Sequence, residues 1–248
     1  MSIHSSLSPS DALTIARAVV RERYQAASFA FVAGSIMRGQ GTNLSDIDLV
    51  VVFDTLEAAH RESFTFEGIP VEVFVHDPGT LAWFVNDDAA RGCPSILNMI
   101  AEGQAIGEYL EHAAALQKSV SAKLRAGPPT LTQAEMDALR YEITDAVDDL
   151  RGERSAPELL AIGAMLYPRL AELALRGRGR WSGVGKWTPR LLAEEDHTLG
   201  NRFDTAFRAL FAASQPGPVI DLAESELTPH GGRLFEGDRR TAPPDWRA

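Results

Sequence analysis

The spacing of apolar residues changes from helical to extended along the first part of the chain. Leu13, Ala16 and Val20 lie three to four residues apart, and this spacing predicts an amphipathic helix from Pro9 to about residue 25. The segment 78–102 is also predicted to be mostly helical. Four extended runs lie between these helical regions: ASFAFVAG, IDLVVVF, ESFTFEG and IPVEVFVHD. Short runs rich in Val, Ile and Phe are typical of strands, so the pattern predicts a small α/β unit.

The pattern is interrupted at Gly127-Pro128-Pro129, which cannot continue a helix. Just beyond this break, Thr132 and Glu135 have the spacing of a capping box, a residue pair that starts a helix. The following stretches carry apolar residues at helical spacing, and one of them contains Pro168, where we expect a bend or a break. The second half of the chain is therefore predicted to be a helical bundle.

The predicted fold class is α+β, with an N-terminal mixed sheet and flanking helices followed by a C-terminal helical bundle domain. The end of the chain is rich in Pro, Gly and charged residues, a composition typical of a loosely ordered segment. The predicted division of the chain is 1–125, 130–215 and a partly ordered tail, 216–248.

Two aspartates lie at the start of the second extended run. Asp46 and Asp48 are one residue apart, so on a strand their side chains point to the same face. Such carboxylates repel each other, and burial raises that cost unless a cation lies between them. Mg²⁺ prefers oxygen ligands of this kind and also takes oxygens from substrate phosphates. Upstream, Gly34 would let the backbone approach a phosphate and Ser35 would hydrogen-bond it.

A third acid lies in the run IPVEVFVHD. Its Ile and Val residues alternate onto one face, which leaves Glu72 on the other face. If this strand lies beside the one that carries Asp46 and Asp48, the three carboxylates are able to hold two metal ions about 4 Å apart.

These residues resemble the motif of the DNA polymerase β-type nucleotidyltransferase superfamily. That motif is a Gly-Ser at a strand-to-helix turn, an Asp-x-Asp in the next strand and a later third acid. Here they are Gly34-Ser35, Asp46-Ile47-Asp48 and Glu72, and the context SDIDL is typical of the branch of minimal and aminoglycoside nucleotidyltransferases. The resemblance covers roughly residues 25–80, and the helical half is similar to that branch in architecture only.

The resemblance implies transfer of a nucleoside monophosphate, AMP from ATP by the habit of the family, to a hydroxyl of a small molecule. Asp46 and Asp48 would hold the Mg²⁺ that carries the triphosphate, and Ser35 would contact its β- or γ-phosphate. Glu72 would complete a second metal site or help to deprotonate the acceptor. Arg38 either offsets the negative charge of the triphosphate or is a solvated loop arginine.

Further candidates lie in the helical half. Glu142, Asp145 and Asp149 fall on one flank of a predicted helix, where they form either a solvated face or an acceptor wall that binds a cationic group. Lys186, in the loop WSGVGKW, either reaches the triphosphate or belongs to a loop anchored by two tryptophans.

The charge balance disfavours some partners. The formal net charge is −10, with 24 Lys and Arg against 34 Asp and Glu, so we expect no grip on duplex nucleic acid. An acidic surface attracts cations instead, which makes an aminoglycoside the sharpest acceptor hypothesis. No apolar run approaches the length of a membrane span and the first residues lack the pattern of a secretory signal, so a cytoplasmic protein without a membrane partner is expected.

Alternative functions stay open at this point. One is a protein adenylyltransferase of the antitoxin type found among minimal nucleotidyltransferases, although most of those proteins are shorter. Another is a nucleotide-binding regulator with a dead site, which an intact acid triad disfavours. The sequence identifies neither the acceptor nor the base of the nucleotide, and it leaves both a monomer and a homodimer open.

Overall fold

The computed structural model describes residues 7–239 and 241, and it divides the chain into two compact units, 1–127 and 128–248. The first six residues, part of the start judged above to lack a secretory signal, lie outside the described residues. Residues 240 and 242–248 of the predicted tail also lie outside them. None of the described helices combines the length and the apolar character that a membrane span requires.

The first unit alternates helices with the strands of one sheet. Its elements are α1 (Pro9–Arg23), β1 (Phe29–Ala33), α2 (Gly34–Met37), β2 (Ile47–Val52), β3 (His60–Phe66), β4 (Ile69–His76), α3 (Pro78–Arg91), α4 (Ser95–Glu102), β5 (Gln104–Gly107) and α5 (Leu110–Ala126). The four predicted strands are all present, and the segment predicted to be mostly helical contains α3 and α4.

The sheet is mixed, with the strand order β3-β4-β2-β1-β5. β2 and β4 run parallel, and the other neighbouring pairs are antiparallel. Strand β5 was not predicted, because it has only four residues and only Ile106 of them is buried. Gly103 just before the strand and Gly107 at its end also hide the alternation that identifies a strand from sequence.

Both faces of the sheet are covered, and every residue of β1 is buried. Helix α1 packs on one face through Ala12, Ala16 and Val19, where it meets side chains such as Val32 and Leu49. Helix α4 packs near β1 and β2, and Gly103 at its end lies close to Phe31, which points to the face opposite Val32. This double burial explains the nearly continuous apolar runs of the two central strands.

The second unit consists of helices around a core of its own. They are α6 (Gln133–Arg151), α7 (Ala156–Arg176), α8 (Trp187–Glu195), α9 (His197–Ala213) and α10 (Gly217–Leu227), followed by a 3-10 turn at Thr228–His230. The buried core draws on all of these α-helices and includes Ile143, Leu170, Leu192, Phe203 and Val219. The predicted α+β class and the helical second half are confirmed.

One detail of this unit follows directly from the sequence, and another does not. Thr132 and Glu135 form the predicted capping box at the start of α6. Helix α7, however, continues through Pro168 without a break. Pro168 and Ala164 are both exposed, so the carbonyl that loses its hydrogen bond to the proline is able to face water.

The structure also differs from the predicted tail. Residues Gly217–Leu227, which the sequence places outside the helical domain, form α10. Pro218 suits the first turn of a helix, where its missing N–H costs nothing. Val219, Leu222 and Ala223 are buried in the core of the unit, so this part of the tail belongs to the folded bundle.

Candidate active site

Two parallel strands bring the three acids of the motif together. Asp48 on β2 lies directly opposite Glu72 on β4. Asp46 is two residues before Asp48, so its side chain points to the same side of the chain. One carboxylate oxygen from each residue lies within 4.8 Å of the others, and all three side chains are half-buried.

This donor set fits a divalent metal ion. Three carboxylates at such short distances repel one another, and a bound cation removes that repulsion. Carboxylate oxygens are the ligands that Mg²⁺ and similar hard cations prefer. Asp46, Asp48 and Glu72 are therefore the residues that are able to hold one or two such ions.

Gly34 shapes the wall of this site. Its φ angle is +93°, a backbone conformation that residues other than glycine rarely adopt. A Cβ atom added at Gly34 would lie 2.0 Å from the Oδ2 atom of Asp48, which is far inside any real contact. The Asp48 carboxylate thus rests against the backbone of the turn from β1 to α2, and only glycine leaves room for it.

Ser35 ties the same turn to the loop that leads into β2. Its hydroxyl donates to the hydroxyl oxygen of Ser45 at 3.1 Å, and the Ser45 oxygen also accepts from the backbone N–H of Thr42 at 2.9 Å. Gly41 packs so closely on Ile36 that an added Cβ would lie 2.8 Å from the Ile36 side chain. These contacts fix the loop immediately before the two aspartates.

Arg61, which is not among the residues predicted from sequence, lies on β3 beside Glu72. Its guanidinium donates to the Glu72 carboxylate, and the Ser63 hydroxyl donates to the same oxygen at 3.4 Å. The guanidinium carbon also lies 5.6 Å from the centre of the Phe74 ring. Alternation along β3 was the available signal, because Phe64 belongs to the core face and Arg61 therefore lies on the opposite face.

Arg38 has an acidic neighbour within the first unit. Its guanidinium lies 3.1 Å from a carboxylate oxygen of Glu102, and about a quarter of its side chain is exposed. Arg38 thus links the end of α2 to the end of α4. Its contact with the triphosphate stays a prediction.

The remaining candidates belong to the second unit. Glu142 forms an ion pair with Arg169 at 2.6 Å, and Asp149 forms one with Arg154. Asp145 is exposed between them. Lys186 is exposed, and it is the residue that immediately precedes the first turn of α8.

Comparison with known proteins finds a family match within the first unit. Residues 13–77 match the family described as "Nucleotidyltransferase domain", and this range contains Gly34, Ser35 and all three acids. The solved structures include a nucleotidyltransferase-like protein from Exiguobacterium sibiricum 255-15 with 14% sequence identity and a TM-score of 0.47. That similarity covers 87% of this chain and 72% of the other. Among the curated proteins there was no match.

Proposed function

Since the chain carries a nucleotidyltransferase domain, we propose that it transfers AMP from ATP to a hydroxyl group of a small molecule in a Mg²⁺-dependent reaction. The observation that carries this proposal is the convergence of three carboxylates from neighbouring strands within 4.8 Å. The tight turn at Gly34 and Ser35 lies against the same acids.

Asp46, Asp48 and Glu72 would hold the metal ions. When bound there, Mg²⁺ supplies positive charge that offsets the negative charge of the triphosphate and of the atoms that react. Because the Asp48 carboxylate lies against the Gly34 backbone, that glycine would help to position this ligand.

The other residues of the turn would orient the nucleotide. The Ser35 hydroxyl, half-buried at the start of α2, would donate a hydrogen bond to a phosphate oxygen in place of its present acceptor on Ser45. The acceptor oxygen then forms a bond to the α-phosphorus, pyrophosphate leaves, and the hydroxyl proton passes to a base. Glu72 and an acid of the helical unit are both candidates for that base.

A cationic acceptor such as an aminoglycoside is the substrate that we propose. Its support is the net charge of −10, together with the row of Glu142, Asp145 and Asp149. The arginine partners of Glu142 and Asp149 offset part of that charge. Asp145 is therefore the acid of the row whose charge would contribute most to binding a cation.

The alternative is adenylylation of another protein. A whole helical unit with its own core follows the nucleotidyltransferase domain, and most minimal proteins of that type lack such a unit. This comparison of size favours a small-molecule acceptor.

One experiment separates these functions. The full chain is incubated with Mg²⁺ and each labelled NTP, either alone, with a panel of aminoglycosides, or with a protein extract. We expect pyrophosphate release and label on the drug, with ATP preferred. Label on protein alone would favour the alternative, and the absence of any transfer with every NTP would contradict both. Asp48→Asn should nearly abolish transfer in this assay. Glu57→Gln, which changes an exposed acid of the loop after β2, is the matched control and should keep it.

A further inference from the structure

A cavity of about 410 Å³ lies within the first unit, away from the acid triad. It is lined by Phe29 and Val52, which pair at one end of strands β1 and β2, whereas Ala33 and Asp48 pair at the other end. The two pairs are four residues apart, and this corresponds to roughly 13 Å along the strands. The cavity is thus a feature separate from the proposed active site.

The walls of the cavity are mainly apolar. Helix α3 contributes one wall and helix α5 the other, and the strand ends form the floor. The main apolar lining residues are Phe29, Val52, Leu81, Val85, Leu116 and Val120. The volume is in the range of pockets that bind small organic molecules, about 300–1,000 Å³. A ligand that fills the cavity therefore needs a compact apolar body.

A cation lies among these apolar walls. The ammonium group of Lys123 donates a hydrogen bond to the side-chain oxygen of Asn86 at 2.8 Å. Within residues 7–239 and 241, Lys123 forms no ion pair. Its charge is held by a neutral amide alone, and an ammonium group has two further donors to offer.

Asp54, the acid that lines the cavity, has a different kind of partner from Lys123. Asp54 accepts a hydrogen bond from the hydroxyl of Ser28 at 2.5 Å, and Ser28 is only 6% exposed. His112, at the start of α5, also lines the cavity. Eleven residues separate His112 from Lys123, or roughly 16 Å of helix. The polar groups thus lie towards two ends, with apolar side chains between them.

We propose that this cavity binds a small amphiphilic monocarboxylate. Its carboxylate pairs with Lys123, and its hydrocarbon body lies between α3 and α5. Lys123 repels a cationic ligand, whose acidic partner among the described lining residues would be Asp54, already bound by the Ser28 hydroxyl. A neutral apolar ligand would leave the Lys123 charge without an ionic partner. A monocarboxylate with a hydrocarbon body meets both conditions, because its charge pairs with Lys123 while its body contacts the apolar walls.

Ligand binding to the full chain tests the proposal. Octanoate and 3-phenylpropionate are the anionic probes, one with an alkyl body and one with an aryl body. Octan-1-ol and octylamine are the neutral and cationic comparisons. Titration calorimetry, or chemical shifts in the NMR spectrum, measures each affinity. We expect at least one anionic probe to bind at least ten times more tightly than octan-1-ol, and octylamine to bind more weakly still.

Variants locate the site. Lys123→Met keeps an apolar stem but removes the charge, and we expect it to lose at least ten-fold in affinity for the anionic probe. Lys118→Met changes an exposed lysine of the same helix, so it should bind like the natural chain. Ala82→Trp should fill the cavity, which Ala82 lines, and abolish binding.

Several outcomes would overturn the proposal. They are equal affinities for octanoate and octan-1-ol, equal losses in Lys123→Met and Lys118→Met, unaltered binding in Ala82→Trp, or no binding of either anionic probe at millimolar concentration. Thermal unfolding of each variant confirms that it is folded. If Lys123→Met does not fold, Lys123→Gln makes the same comparison.

Discussion

Replacement of Gly34 by alanine tests whether the position of Asp48 determines activity. The new methyl group would lie 2.0 Å from Oδ2 of Asp48 and 3.0 Å from its carboxyl carbon. An ordinary contact begins at about 3.4 Å, so the carboxylate has to move by roughly 1.4 Å or the turn has to open. Either change displaces one of the three proposed metal ligands.

Two energetic effects of Gly34→Ala are separable. The first is backbone strain at a φ of +93°, which costs about 1–3 kcal/mol of folding stability. The second is the displacement of Asp48, and misplacement of a reacting group by about 1 Å costs about 100-fold in rate. We therefore expect Gly34→Ala to be destabilised and, where it is still folded, to lose about two orders of magnitude in turnover.

Gly39→Ala is the matched control. Gly39 also has a positive φ, +70°, but no atom lies within 4 Å of an added Cβ. Its alanine variant should show a similar cost in strain and no displacement of the acids. The difference between the two variants therefore isolates the contact with Asp48.

The assay combines stability, metal binding and turnover. Urea unfolding gives the free energy of unfolding, electron paramagnetic resonance gives the affinity for Mn²⁺, and pyrophosphate release gives the rate. We expect Gly34→Ala to bind Mn²⁺ at least ten times more weakly than Gly39→Ala. A folded Gly34→Ala variant with the Mn²⁺ affinity and turnover of Gly39→Ala would refute the argument.

Further predictions concern single side chains. Asp46→Asn and Asp48→Asn should each nearly abolish turnover while thermal unfolding shows an intact fold, because each removes one ligand charge at almost constant volume; near-natural turnover would exclude the metal role. Glu72→Gln should slow the chemical step while the affinity for Mg·ATP is largely kept. Arg61→Gln should raise the Mn²⁺ affinity measured without nucleotide, because the Arg61 guanidinium competes with the metal for Glu72. Burial lowers the pKa of His76 from the ordinary 6.5, so the neutral side chain stabilises the fold fully above pH 6.5 and this stabilisation is lost as the pH falls below that value. The variant His76→Phe should therefore show a smaller fall in unfolding free energy between about pH 7 and 5. An identical pH profile in the variant and the natural chain would contradict this.

The convergence of the acids was accessible from sequence for a specific reason. Side chains alternate along a strand, so the spacing of Asp46 and Asp48 fixed their common face before any pairing was known. Glu72 required one more assumption, that its strand is a neighbour of β2, and the parallel pairing of β2 with β4 meets it. Local pattern and a single pairing were sufficient for this part of the site.

The parts that were not predicted depend on contacts between distant residues or on weak local signals. Helix α10 begins within a Pro-Gly-Pro stretch that resembles a loop, and only its burial in the bundle core reveals it as a helix. Arg61 precedes Glu72 by eleven residues, and the pairing of β3 with β4 brings the two together. Alternation along β3 assigns Arg61 to the face opposite Phe64, but only the partner strand shows that Glu72 lies beside it.

The acids of α6 show why a count of charges overstates the attraction for a cation. Sequence spacing puts Glu142, Asp145 and Asp149 on one flank of the helix, but it gives no sign of Arg169, which belongs to α7 and pairs with Glu142. Arg154 similarly offsets Asp149, so the row carries much less negative charge than its three carboxylates suggest. On the function proposed above, preference for a cationic acceptor would depend mainly on Asp145, whereas the chemistry of the nucleotide would depend on the acids of the sheet.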